Sequence, residues 1–271
     1  MGNALFIVWR ETIEAMLVIG ILHGWLSARP EARAGFPWLW GGIAAGLGLA
    51  VFLAVTIMDI QSWVSASALE WFQGIMPLAA CGLIFQMVWW MRRHGAGLKT
   101  ELEAGMASAA DRANWLGIAV LAAVAVGREG AETVVFLYGA VKGSANADIA
   151  LGGAMGFLLA LAAYWLLSRG SRFVSWRAFF RVTEVMLLLL GGALLVDGTE
   201  KLVGLEALPP LADPLWNTAL LLDDGTQAGG LAAAFTGYRA APSGMAYALL
   251  AVYWALALGV LLKLKPRARK A

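Results

Sequence analysis

The stretch Trp9-Arg10-Glu11-Thr12-Ile13-Glu14-Ala15 decides the fold, because it sits inside an apolar run from Asn3 to Leu26. It recurs as Gly127-Arg128-Glu129-Gly130-Ala131-Glu132 inside a second run, from Trp115 to Gly139. Each run is long enough to cross a bilayer, which takes about 20 residues of helix. Two arginines and four glutamates thus fall where hydrocarbon should surround the chain. Charge at that depth costs about 2.5–3.5 kcal/mol per residue on insertion scales, and residues kept there usually serve ion pathways or binding sites.

The rest of the chain agrees with a membrane setting. Hydrophobic residues make up 61% and charged residues 14%, against about 45–50% and 25% in soluble domains. Mean hydropathy is +0.73. The 271 residues read as a single membrane permease domain with no room for a large soluble one. No cleavable signal is visible: the first apolar run has no basic region before it and carries the charged motif. Cys81, the single cysteine, excludes an internal disulfide. Nothing points to a nucleic-acid partner.

The pattern predicts an all-α integral membrane protein with seven transmembrane helices, over about 3–26, 36–58, 70–91, 115–139, 147–167, 178–198 and 244–262. Lys and Arg set the orientation. Arg29, Arg33, Arg92, Arg93, Lys99, Arg112, Arg169, Arg172, Arg177, Arg181, Lys263, Lys265, Arg267, Arg269 and Lys270 fall on one side, which is 15 of the 20 basic residues. Lys142, Lys201 and Arg239 fall on the other. The N-terminus is therefore expected outside and the C-terminus in the cytoplasm, in a plasma or bacterial inner membrane. Trp25, Trp38, Trp40, Trp89, Trp90, Trp115, Trp165 and Trp176 lie near the expected cytoplasmic ends, as an aromatic belt would.

The chain also reads as an inverted 3+3 repeat plus a C-terminal helix. The charged motifs recur at an offset of 118 residues, Gly42-x-x-x-Gly46 and Gly152-x-x-x-Gly156 at 110, and Glu70 and Glu184 at 114. Repeat 1 covers about 1–91, repeat 2 about 115–198, an external loop about 199–243 and the last helix about 244–262. Three helices per unit reverse the second unit's topology, an arrangement that in transporters puts the substrate near the midplane between repeats.

On a helix, residues three and four apart share a face. Arg10, Glu11 and Glu14 therefore lie on one face, and so do Arg128, Glu129 and Glu132. Gly127 and Gly130 keep the second face low enough for another backbone to approach. The first set lies about 12–17 Å and the second about 10–15 Å from the outer helix end, at 1.5 Å per residue, so the two can meet at one height. Four glutamates against two arginines leave −2 if all ionise. A low-dielectric site holds that excess only with protons or a cation. Carboxylates suit hard, highly charged ions. Arg10 and Arg128 would brace the carboxylates and limit their repulsion. One Cys and two His offer few soft ligands. Balanced salt bridging between helices is the plain reading of one motif; two copies with excess negative charge argue for cation binding.

With these residues the chain resembles the oxidase-dependent iron permeases of fungal and bacterial cell membranes. Their hallmark is Arg-Glu-x-x-Glu in the first and fourth of seven helices. The likeness extends to Gly237-Tyr238-Arg239-Ala240-Ala241-Pro242-Ser243 before the last helix. It implies high-affinity uptake of Fe³⁺ after a partner oxidises Fe²⁺, with Glu11, Glu14, Glu129 and Glu132 as metal ligands. It also implies an external ferroxidase or periplasmic iron-binding partner. Iron would be the cargo, with no permanently bound cofactor and no enzymatic step. The external loops lack the Asp-x-x-Glu cluster of some fungal members, and the C-terminus is basic. Three alternatives stand beside this: another hard cation or Fe²⁺ with proton coupling, a membrane-embedded enzyme using paired glutamates, and a non-transporting receptor. The sequence leaves room for an oligomer.

Weaker signals complete the reading. Glu70, with Gln73 one turn on, marks an entrance, and Glu184 an exit; for each the plain alternative is an interfacial carboxylate in water. Asp223 and Asp224 belong to an acidic external segment that would concentrate cations or dock a ferroxidase, with an ordinary solvated loop as the plain alternative. Met87 and Met91 read as packing, and His23 and His94 as interfacial residues.

Overall fold

The computed structural model describes residues 2–94, 97–111, 114–140, 146–168 and 176–263. Nine α-helices account for most of them: α1 (Gly2–Ser27), α2 (Phe36–Trp63), α3 (Ala66–His94), α4 (Leu98–Asp111), α5 (Trp115–Ala140), α6 (Asn146–Ser168), α7 (Trp176–Gly204), α8 (Gln227–Thr236) and α9 (Gly244–Lys263). No strand occurs among the described residues. Long apolar runs become helices because hydrocarbon offers backbone groups no partner, and a helix satisfies them internally.

All seven long helices expected from hydropathy are present, each longer than expected. The segment Pro30–Gly35 adds a short 3₁₀ helix with Arg29 as its N-cap. Two helices appear where the sequence suggested only loops. α4 is short and mildly amphipathic, and turns Leu102 and Met106 into the core. α8 begins at an N-cap where the Thr226 hydroxyl accepts from the Gly229 amide, and ends at Gly237 in the left-handed region (φ 71°). Neither contains a sustained apolar run.

Among the described residues, five helical segments are long and apolar enough to cross a membrane on length and composition alone: one runs from the 3₁₀ helix through most of α2, and the others lie within α3, α6, α7 and α9. α1 and α5 are of similar length, at 26 residues each, but each carries three charged residues. Those residues are the two motifs. α7 is the most buried of the five, with 67% of its apolar stretch buried, whereas α2, α6 and α9 show only about a fifth of theirs buried. Leu47, Phe52 and Met58 of α2 and Leu151, Phe157 and Leu158 of α6 are exposed, as a lipid-facing surface requires.

The main helix contacts are α2 on α5, α1 on α6 and α3 on α7, with α1 also packed on α5. Small residues make two of these approaches possible. A Cβ at Gly46 would lie 2.8 Å from both the Ala123 carbonyl oxygen and the Gly127 amide of α5. A Cβ at Gly156 would meet the Leu5 carbonyl and lie 3.0 Å from the Trp9 amide of α1. Leu5 and Trp9 are the residues that the 118-residue motif offset pairs with Ala123 and Gly127, and Gly46 and Gly156 differ by the 110-residue glycine offset.

The core has two parts. One joins α3, α7 and α9 to the beginning of α1 and the end of α5, through Ile84, Leu187, Tyr253, Ile7 and Phe136. The other joins the second half of α1 to α2, α4 and the beginning of α5, through Leu22, Ile43, Met106 and Ile118. The two charged motifs lie between these parts in α1 and α5.

Of the basic residues used for orientation, Arg112, Lys142, Arg169, Arg172, Lys265, Arg267, Arg269 and Lys270 lie outside the described residues, as do the side chains of Arg177, Lys263, Trp176 and His94. Trp38, Trp40, Trp89 and Trp165 are exposed, as a belt needs. Trp25 is not part of such a belt. It is buried in the second core, under the Arg29 guanidinium at 4.1 Å from the ring centroid.

Candidate metal centre

α1 and α5 present their motifs to each other. Glu11, Glu14 and Glu129 each place a carboxylate oxygen so that all three lie within 4.8 Å of one another. Glu11 and Glu129 are buried, and the side chains of Glu14 and Glu132 are only 13% and 15% exposed. The i, i+3 and i, i+4 spacings deliver this convergence: each motif turns its three charged groups to one side of its helix. Gly127 and Gly130 help by letting α2 approach, Gly127 against Gly46 and Gly130 against Ala50.

The two arginines do different jobs. Arg10 is fully buried; its Nη1 donates to Glu11 Oε1 at 2.6 Å and its Nη2 pairs with Glu14. Arg128 keeps 40% of its side chain exposed and engages through Nε, at 2.8 Å from Glu132 and 3.7 Å from Glu129. Glu132 is thereby tied to Arg128, while the other three glutamates form the close cluster. One oxygen each of Glu11, Glu129 and Glu132 is buried without a hydrogen-bond partner among the described residues. Buried carboxylate oxygens left without partners are costly. Oxygens that are also clustered and supplied by acidic groups fit a hard cation, which takes several such ligands at once.

A third helix contributes residues whose role the sequence pattern did not suggest. Met91 Sδ lies 3.9 Å from Arg10 Nη2 and accepts its hydrogen bond, so Met91 is not only a packing residue. The Trp90 ring lies under the Arg128 guanidinium at 4.9 Å, so Trp90 belongs to the site and not only to an interfacial belt. Met87 is buried in the core as expected. The reason is a displacement of α3 along its axis. Gly139, near the end of α5, packs against Pro77 and Ala80, so the first eleven residues of α3 extend beyond that level. From Pro77 to Met91, α3 descends about 21 Å, and from Gly139 to Glu129, α5 descends about 15 Å. The end of α3 therefore stops near the motifs. Hydropathy marks the ends of an apolar run but not its height relative to its neighbours.

The remaining candidates lie elsewhere. Glu70 is exposed near the beginning of α3, and Gln73 is half-buried one turn on. Glu184 is buried in α7 and ion-paired with Arg92, whose Nη2 donates to Glu184 Oε2 at 3.1 Å and whose Nη1 donates to the Leu261 carbonyl of α9 at 2.9 Å. Asp223 and Asp224 line a surface cavity of about 540 Å³ with Asp197, Glu200, Lys201 and Arg239. Arg239 bridges Asp197 at 2.9 Å and Asp224 at 3.2 Å. His23 stacks edge-on to Phe36 and lies 3.4 Å from the Ser27 hydroxyl, as a non-ligand would.

A profile described as the Iron permease FTR1 family matches residues 1–270. The ferrous iron permease EfeU of Escherichia coli O6:H1 (strain CFT073) is 28% identical over 267 residues, covering 97% of this chain and 95% of the relative. The EfeU of Shigella sonnei (strain Ss046) aligns with the same identity and coverage. The EfeU of Yersinia pestis is 27% identical over 194 residues, 69% of this chain and 67% of the relative. No solved structure matches.

Proposed function

Because this chain belongs to the Iron permease FTR1 family, we propose that its motif glutamates form the station through which iron crosses a cell membrane. The chain is a multi-pass membrane permease, and a permease leaves its cargo chemically unchanged. The glutamates then act as ligands, and the reading of them as an enzyme's acid and base falls away. The observation that carries the proposal is the convergence of Glu11, Glu14 and Glu129 within 4.8 Å, with partnerless oxygens turned into the interior. Arg10 fixes the first pair of carboxylates and Arg128 restrains Glu132.

We read seven spanning helices, with α1 and α5 inserted despite their charges because those charges face each other. The matching contacts of Gly46 and Gly156 support an inverted repeat of α1–α3 and α5–α7, followed by α9. The basic bias of the loops supports an external N-terminus and a cytoplasmic C-terminus. An inside-negative potential then favours entry by about 2.3 kcal/mol per charge per 100 mV, or about 7 kcal/mol for a trivalent ion. No nucleotide-binding loop is needed for that drive.

The cargo is Fe³⁺ on the chemistry of an all-carboxylate site, delivered by an external ferroxidase or iron-binding partner. A second reading is Fe²⁺, favoured by the names of the relatives, which are called ferrous iron permeases. Uptake of radioactive iron into proteoliposomes with an imposed inside-negative potential tests both. Anaerobic Fe²⁺ with reductant is set against Fe³⁺ held soluble by citrate. Wild-type protein is expected to take up Fe³⁺, and the Glu14→Gln, Glu132→Gln double variant to take up neither ion. Uptake by that variant at the wild-type rate would sink the site assignment.

A further inference from the structure

The two halves of the site are related in sequence but differ in freedom, and this difference assigns a role to Trp90. Arg10 is enclosed on every side, with both terminal nitrogens engaged by Glu11, Glu14 and Met91. Arg128 uses Nε for its ion pairs and keeps a partly exposed side chain. Its guanidinium already lies over the Trp90 ring, 4.9 Å from the centroid. A guanidinium in that position is attracted to the ring face without needing a carboxylate.

We propose that Arg128 is the arginine that gives up its carboxylate partner in the permeation step and that Trp90 is the positioning residue that holds its guanidinium in place meanwhile. The inference rests on the uptake reading and deepens it. With no cation present, Arg128 holds Glu132 apart from the Glu11, Glu14 and Glu129 cluster. When a cation enters that cluster, Arg128 releases Glu132, and the freed carboxylate becomes the fourth ligand. The guanidinium keeps its place over Trp90 and is not driven into the apolar surroundings. Release of the cation returns Arg128 to Glu132. Arg10 has no such alternative: leaving Glu11 and Glu14 would strand it inside the protein with only the Met91 thioether. The second motif is thus the mobile half of the site and the first motif the fixed half.

An indole that steadies Arg128 during exchange affects the rate of turnover more than the affinity of the cluster. Iron uptake into proteoliposomes by Trp90→Leu is expected to show a maximal rate about tenfold lower, with the half-saturating iron concentration unchanged. Tenfold corresponds to about 1.4 kcal/mol, within the range of a partly desolvated cation–π contact. Trp90→Tyr keeps an aromatic face and is expected to recover most of the rate. Equal losses in the Leu and Tyr variants, a wild-type rate in Trp90→Leu, or a change confined to half-saturation would each overturn the inference. Wild-type protein and the Glu14→Gln, Glu132→Gln variant run in the same assay. Failure of those controls overturns the uptake reading, whereas failure at Trp90 beside sound controls overturns only the positioning role of Trp90.

Discussion

Glu11 and Glu129, 118 residues apart in the chain, each bring a carboxylate oxygen within 4.8 Å of the other and of Glu14. Three acidic groups at that spacing repel unless something positive or a proton joins them. Arg10 meets part of this need, through its ion pairs with Glu11 and Glu14 on its own helix. The remaining negative charge at the boundary between α1 and α5 is what the proposed cation would offset.

On the proposed reading protons and metal compete for the same oxygens, which makes the first prediction one of pH. A carboxylate must be ionised to bind a cation, so metal binding releases protons. Affinity is expected to fall as pH falls, by up to about tenfold per pH unit for each proton displaced. Equilibrium binding of a redox-inert trivalent ion such as Ga³⁺ to detergent-purified protein checks this. Glu129→Gln removes one competing group and should flatten the dependence while weakening binding. An affinity independent of pH would remove the carboxylates from the site.

The burial of the two arginines predicts unequal consequences of losing them. Arg10→Gln leaves Glu11 and Glu14 buried without their cation, a loss of about 3–5 kcal/mol for a broken buried pair. Arg128→Gln removes a guanidinium that is 40% exposed on its side chain, and should cost distinctly less. Thermal unfolding in detergent should therefore rank wild type above Arg128→Gln and Arg128→Gln above Arg10→Gln. The reverse order would mean that the burial difference has no energetic weight.

The convergence of the charged side chains was legible in the sequence because each motif is local. A helix turns residues three and four apart to one side whatever surrounds it, so Arg10, Glu11 and Glu14 had to converge. The meeting of the two motifs followed from their similar distance to a helix end. Trp90 and Met91 were not legible, because their role depends on how far α3 slides along α5. That offset is set by contacts such as Gly139 on Pro77 and Ala80, between residues 59 or more positions apart. α4 is not legible for a different reason: its 14 residues bury only a short stripe, with no sustained apolar run. Glu184 looked like an isolated acid because its partner, Arg92, stands 92 residues away.

The glycine contacts predict matched defects at two distant positions. Gly46→Ala places a methyl group against the Ala123 carbonyl and the Gly127 amide, and Gly156→Ala places one against the Leu5 carbonyl and the Trp9 amide. Backbone cannot move aside as a side chain can, so each should destabilise by about 1–3 kcal/mol. Gly48→Ala meets nothing within 4 Å and serves as the control, expected within about 0.5 kcal/mol of wild type. Thermal unfolding of the three variants compares them directly. A Gly156→Ala protein as stable as Gly48→Ala would remove the correspondence between α1–α6 and α5–α2.

The pair formed by Arg92 and Glu184 separates a structural bracket from a step on the iron path. Arg92 joins α3 to Glu184 of α7 and to the Leu261 carbonyl of α9, one residue beyond Met91. Breaking a buried pair from one side strands the other charge, so Arg92→Met or Glu184→Leu alone should cost about 3–5 kcal/mol. Replacing both removes the stranded charge and should recover most of that loss. The Leu261 carbonyl loses its donor in the double variant and sets a residual cost of about 1–3 kcal/mol. If the pair only brackets the helices, the double variant takes up iron at close to the wild-type rate. Uptake that stays low in a double variant whose stability has recovered would instead place Glu184 on the exit route. The geometry favours the bracket, because Arg92 engages both Glu184 oxygens and so leaves that carboxylate little capacity for a passing cation.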